Sequence, residues 1–123
     1  MDVLMPRIVL AGKDWQFRAL LRAQLREEGL EVIAQETSRG ALTGLTGLAD
    51  LPELLVADLT GSAHPVAELD LLARWTSILP VWLILSRTVR MNLEIARLGF
   101  ERVIYRPLDM GRLVQQIKER VKT

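Results

Sequence analysis

The chain contains no cysteine and a single histidine, His64. Disulfides, thiolate metal centres and thiol nucleophiles are therefore excluded, and any histidine-dependent catalysis rests on one residue in the loop "LTGSAH" with no nucleophile placed beside it. Charge of one sign is also lacking: 16 basic and 15 acidic residues leave a formal net charge of +1. That balance does not favour a surface that seeks polyanions such as nucleic acid. No apolar run approaches the roughly 18 residues of a membrane span, and no signal-peptide pattern opens the sequence, so the chain reads as cytoplasmic and not membrane-bound. The glycine-rich segment "GALTGLTGLAD" lacks the Gly-Lys-Ser/Thr ending of a phosphate-binding loop.

What is present suits one globular domain. Half of the 123 residues are apolar and a quarter charged, which is enough to bury a core but not to divide into two. Residues 1–123 read as one unit behind a loose leader, Met1 to Pro6. Short β-branched runs alternate with stretches of helical period, the pattern of a βαβ chain around a parallel sheet.

The first strand is expected over Arg7 to Ala11. Asp14 then caps a helix through Glu28, with Phe17, Leu20, Leu21 and Leu25 on one face and Gly29 closing it. A second strand falls at Leu30 to Thr37. The helix after it is expected to be short, because Gly40, Gly44 and Gly47 each cost roughly 1 kcal/mol relative to alanine. The third strand, Glu53 to Gly61, is apolar on both faces until Asp58. Pro65 opens a helix with Val66, Leu69, Leu72 and Trp75 inward. "LPVWLILSRT" is the fourth strand, ending at Ser86, and a helix follows from about Val89 to Leu98, stopped by Gly99. "RVIYRP" is the fifth strand, and Asp109 caps a last helix whose apolar face is Leu113, Val114, Ile117 and Val121. Trp75 and Trp82 are expected in the core, and Trp15 beside the strand ends.

In open α/β sheets ligands bind outside the carboxyl ends of the strands. The polar residues there are Gly12, Lys13 and Asp14 after the first strand, Asp58 after the third, Ser86 and Arg87 after the fourth, and Arg106 with Pro107 after the fifth. With "LLRAQLREEGLEV", "LPELLVADL", "LPVWLILS" and "ARLGFERVIYRPLD" in this order, the chain resembles the receiver domain of two-component response regulators over essentially its whole length. The resemblance implies an α/β, flavodoxin-like (βα)5 three-layer sandwich with a five-stranded parallel sheet of order 2-1-3-4-5. It also implies that Asp58 is the phospho-acceptor candidate and Ser86 the hydroxyl that contacts the phosphoryl group. Arg106 stands where the family has a lysine, before a proline whose peptide bond is often cis.

The same comparison exposes departures. The family holds magnesium with an acidic pair after the first strand, and those positions are Gly12 and Lys13. Magnesium needs a tight octahedron of oxygen ligands, so Asp14 and Asp58 are the only carboxylates available even to a weak site. No metal or cofactor is expected, magnesium entering only if the chain is a phospho-accepting receiver after all. Without the metal, phosphoryl transfer loses its main electrostatic support. Lys13 and Arg106 are instead expected to approach Asp58 as a standing salt-bridge cluster, or else Lys13 is a solvated loop residue. The family's inward-turning aromatic is replaced by Val103, with Tyr105 two places later on the same strand face.

These readings lead to a receiver-like signalling module of the phosphorelay class, not an enzyme, acting through protein–protein contacts with weak or absent magnesium-dependent phosphorylation at Asp58. The resemblance places its output face on residues 89–98, 102–106 and 110–121, with Met91, Arg97, Arg102, Val103 and Tyr105 as contact residues. The partner is a protein: a histidine kinase, an output domain or a second copy. The alternatives are a phospho-accepting receiver and, from another class, a flavodoxin-like small-molecule binder.

Overall fold

The computed structural model describes residues 5–45, 50–86, 95 and 97–122. Along the chain the elements are β1 (Arg7–Gly12), α1 (Trp15–Glu27), β2 (Glu31–Gln35), α2 (Ser38–Leu45), β3 (Leu54–Asp58), α3 (Pro65–Ala73), β4 (Val81–Ser86), β5 (Arg102–Arg106) and α4 (Met110–Lys122). All strand pairs are parallel and the sheet order is β2-β1-β3-β4-β5, the flavodoxin-like topology.

Why the central strands read as unbroken apolar runs follows from their two covered faces. Successive side chains of a strand point to opposite faces, so the runs divide by parity. Ile8 and Leu10 of β1, Leu54 and Val56 of β3, and Trp82 and Ile84 of β4 join Leu21 and Leu25 of α1 and Leu113, Val114, Ile117 and Val121 of α4 in one cluster. Val9, Ala11, Leu55, Ala57, Val81, Leu83 and Leu85 join Leu42 and Leu45 of α2 and Leu69 and Leu72 of α3 in the other. The expected apolar face of the last helix is buried along all four of its positions.

Two helix stripes are narrower than their spacing predicts. Leu20 is 50 % exposed and Val66 65 % exposed, so α1 anchors through Leu21 and Leu25, and α3 through Leu69 and Leu72. A helix 100° per residue around carries its third or fourth apolar position past the rim of the sheet contact, where water rather than a strand meets it. Trp75 lies in the turn after α3, half-buried against the second cluster, whereas Trp82 is buried to 1 % exposure.

Caps and turns fall where the residue chemistry places them. The Asp14 side chain accepts the Phe17 amide at 3.2 Å, and Asp109 accepts the Arg112 amide at 3.0 Å. Gly29 takes φ 85° after α1, a conformation that costs a residue with a Cβ roughly 1–2 kcal/mol. α2 is the short helix that its glycines suggest. Most of the helix expected from about Val89 to Leu98 lies outside the described residues, as do Arg87, Met91 and residues 1–4 of the leader; Ile95 is buried in the α2/α3 cluster. No helix of the described residues is long and apolar enough to cross a membrane.

Candidate functional site at the strand ends

Register and parity together bring the polar residues to one place. Gly12 pairs with Asp58 across β1 and β3, and Ser86 pairs with Arg106 across β4 and β5. Each follows Ile8/Leu10, Leu54/Val56, Trp82/Ile84 or Ile104 at a spacing of two, so all four emerge on the face covered by α1 and α4. The start of α1 overhangs that face, which sets Asp14 and Phe17 against them. The result is an open pocket of about 610 Å³ lined by Asp14, Phe17, Thr60, Ser86, Arg106, Pro107, Leu108 and Met110. The Arg106–Pro107 peptide bond is cis.

Asp58 is 7 % exposed, and the gap of only about 10 Å³ beside it is lined mainly by apolar groups, Leu10, Phe17, Leu21, Val56 and Ile84, together with Asp14 and Arg18. That gap has room for about one water. One carboxylate oxygen accepts the Thr60 amide at 3.0 Å and the other faces the Arg106 guanidinium at 3.4 Å. Arg106 reaches Asp14 at 3.0 Å with its other terminal nitrogen, so a single planar fork bridges the two carboxylates. The guanidinium also lies over the Phe17 ring, 4.5 Å from its centroid, which holds the fork in plane. Arg18, one turn along α1 from Asp14, donates a hydrogen bond to the Gly12 carbonyl.

Burial pushes the Asp58 carboxyl above its ordinary range; contacts from Thr60 and Arg106 pull against this, and the neighbouring Asp14 charge adds to it. The Phe17 amide, with Arg106 behind it, holds Asp14 below that range. The two signs of linkage are opposite. A folded-state pKa above the unfolded one means that the folded chain binds the Asp58 proton more readily, so this group's contribution to stability falls as pH rises from the ordinary carboxylate range through the folded value. Asp14 contributes stability above the ordinary range and loses it as pH falls through its lowered value. Asp58→Asn is therefore expected to raise the thermal midpoint at neutral pH, with the gain shrinking in acid; a melting series from pH 7 downward in which the variant is less stable than the parent throughout would contradict the assignment.

The structure separates residues that adjacency in sequence had grouped. Arg106 meets the expected ion pair with Asp58, but Lys13 is exposed and makes no ion pair with Asp58 or Asp14. Lys13 lies in the bend between β1 and α1, where its side chain stays in water. Asp14 is both helix cap and pocket acid, since its two oxygens serve Phe17 and Arg106 separately. Trp15 is 64 % exposed and does not line the pocket; Phe17, two positions on, does. Arg18 was not anticipated, although its spacing of four from Asp14 places both on one side of α1. Of the expected contact residues, Arg97 is exposed, Tyr105 is 44 % exposed, Val103 packs into the α2/α3 cluster, and Arg102 stacks on Trp82 at 4.7 Å from the ring centroid. His64 is exposed ahead of α3 and makes no side-chain capping bond.

The donor set is a poor match to magnesium. Among the described residues no group of three or more histidine, cysteine or acidic side chains could hold a metal ion. An ideal Cβ on Gly12 would stand 3.1 Å from the Asp58 Cβ and 3.2 Å from the Asp58 carbonyl oxygen, so a side chain at that position would need Asp58 to give by a few tenths of an ångström.

No protein-family model and no curated protein matches the chain by sequence. Solved structures do match it in shape. A receiver domain from Clostridium thermocellum superposes with a TM-score of 0.78 at 16 % identity, over 96 % of this chain and 95 % of its own. A response regulator from Thermotoga maritima gives 0.75 at 16 % identity, over 98 % and 100 %. A CheY-like receiver domain from Methanospirillum hungatei gives 0.75 at 18 % identity, over 97 % and 95 %. With the sheet order and the strand-end pocket already in place, these likenesses establish that the chain has the fold of the response-regulator receiver domains.

Proposed function

We propose that this chain is a receiver-like signalling module that works by binding another protein, with magnesium-dependent phosphorylation of Asp58 weak or absent. The observation that carries this reading is the Asp14–Arg106–Asp58 bridge, in which a guanidinium sits between the two carboxylates at the strand ends. Phosphoryl transfer to a carboxylate gathers negative charge on the transferred oxygens, and a metal ion commonly supplies several kcal/mol of the stabilisation needed. Here a single planar cation already spends its donors on the two acids. Among the described residues that line the pocket there is no second charged pair suited to acid–base turnover of an outside substrate, which favours a binding module over an enzyme.

Arg97, Arg102 and Tyr105 are exposed guanidinium and aromatic groups, residue types enriched where proteins meet. A histidine kinase, an output domain or a second copy of the chain are the partner classes for such a module, and the cytoplasm is the compartment that suits it.

The discriminating experiment is incubation with a small phosphodonor and magnesium, followed by intact-mass measurement. The parent chain is expected to show no gain of a phosphoryl group. A gain that disappears in Asp58→Asn would replace this reading with that of a phospho-accepting receiver.

A further inference from the structure

Three oxygen acceptors lie around one narrow gap at the ends of β1 and β3: a carboxylate oxygen of Asp14, a carboxylate oxygen of Asp58 and the carbonyl oxygen of Gly12. Each is already met by a guanidinium. Arg106 supplies its two terminal nitrogens to the acids, at 3.0 Å and 3.4 Å, and Arg18 donates to the Gly12 carbonyl. The Arg106 fork is further fixed by stacking on Phe17. Hard oxygen donors in such an arrangement are what a small divalent cation seeks. A cation entering here, however, would have to displace one guanidinium and accept the charge of another beside it.

We infer that the guanidinium groups of Arg106 and Arg18 stand in place of a divalent cation in this chain, so that the strand-end cluster is complete without metal and Arg106 excludes metal from it. The crowding at Gly12 points the same way, because the close approach of β1 to β3 makes a side chain there, and so the additional carboxylate that a better metal site would need, a tight fit against Asp58. Arg106 comes from β5, at the edge of the sheet, whereas both acids belong to inner strands or to the turn after one. The bridge therefore ties the edge strand to the centre, a connection that a metal held only by β1 and β3 groups would not make.

The inference rests on the receiver-like reading of the pocket but is tested separately from it. Manganese is the probe, added as the chloride to the intact chain while amide proton–nitrogen spectra are recorded. The parent is expected to show no site-specific broadening of the Gly12, Asp14 or Thr60 amides, and magnesium is expected to leave its melting midpoint unchanged. In Arg106→Gln, which removes the charge but keeps a polar side chain, those amides should broaden selectively, with manganese affinity at least about tenfold above the parent, since an opposing unit charge a few ångströms away has been removed. Selective broadening in the parent at low manganese overturns the inference, and so does a folded Arg106→Gln that gains no affinity. The parent titration decides the matter alone if the variant does not fold. Phosphorylation found without metal binding would remove the proposed function and leave this inference standing; metal binding without phosphorylation would do the reverse.

Discussion

Arg106→Ala should lower the unfolding free energy by roughly 2–4 kcal/mol at neutral pH, toward the smaller part of what breaking a buried ion pair costs. The reason for the lower part is exposure: the Arg106 side chain is 25 % exposed, while that of Asp58 is only 6 %. Removing the guanidinium leaves the Asp58 carboxylate against Leu10, Val56 and Ile84 with the Thr60 amide still donating to it, and it strips the Phe17 ring of its stacked cation. A desolvated charge without a counter-charge is what makes the loss large. The double variant Arg106→Ala/Asp58→Asn should recover most of it, because the uncompensated charge goes with the aspartate. Chemical denaturation of the four species forms a double-mutant cycle. Additive effects of the two substitutions would show that Arg106 stabilises the fold by packing alone.

Trp82→Ala should cost about 3–5 kcal/mol, the range for deleting a large aromatic from a packed interior. Trp82, the second residue of β4, is 1 % exposed, between Val56 of β3 and Arg102 of β5 in register, and its ring carries the Arg102 guanidinium at 4.7 Å. Its indole nitrogen donates to Glu101 at 3.4 Å, so the loss includes a hydrogen bond at the rim as well as the buried area. The consequence extends to function, since Arg102 belongs to the surface proposed to meet a partner and would lose the ring that orients it. Tyrosine or phenylalanine at the same position should recover part of the stability, and melting curves of the three variants order the contributions. An alanine variant within about 1 kcal/mol of the parent would mean that β4 is not the centre of that cluster.

The two substitutions test different levels of the same molecule. Trp82 concerns how the sheet is held between its helix layers, where the sequence is most informative. A buried parallel strand must be apolar on both faces, so "VWLIL" and "LLVA" announce themselves without reference to anything distant. The same holds for Asp14 and Asp109 as caps and Gly29 as a helix stop, because each acts on the backbone within a few residues. Where local pattern misleads, as at Leu20 and Val66, the error lies at the rim of a contact whose width is set by the partner element.

Arg106 concerns relations that no local pattern contains. Sequence position put Asp58 at a strand end and Arg106 at another, and the resemblance to receivers put them in one pocket. Lys13 stood next to the same pocket in sequence, yet it is Arg106, 48 residues away, that touches Asp58. Which of two cations reaches an acid depends on strand parity, on the parallel register of four strands and on the overhang of α1, all of them products of assembly.

By itself, then, the sequence determined the βα alternation, the two apolar faces of each inner strand, the caps, and the set of polar residues that leave the sheet at its carboxyl edge, because these follow from short-range periodicity and backbone chemistry. Only the tertiary structure decided that one guanidinium joins Asp14 to Asp58, that Arg18 takes the Gly12 carbonyl, and that Lys13 stays in water. The physical reason is that charge interactions act over a few ångströms in space, and in this sheet those ångströms separate residues that are distant along the chain.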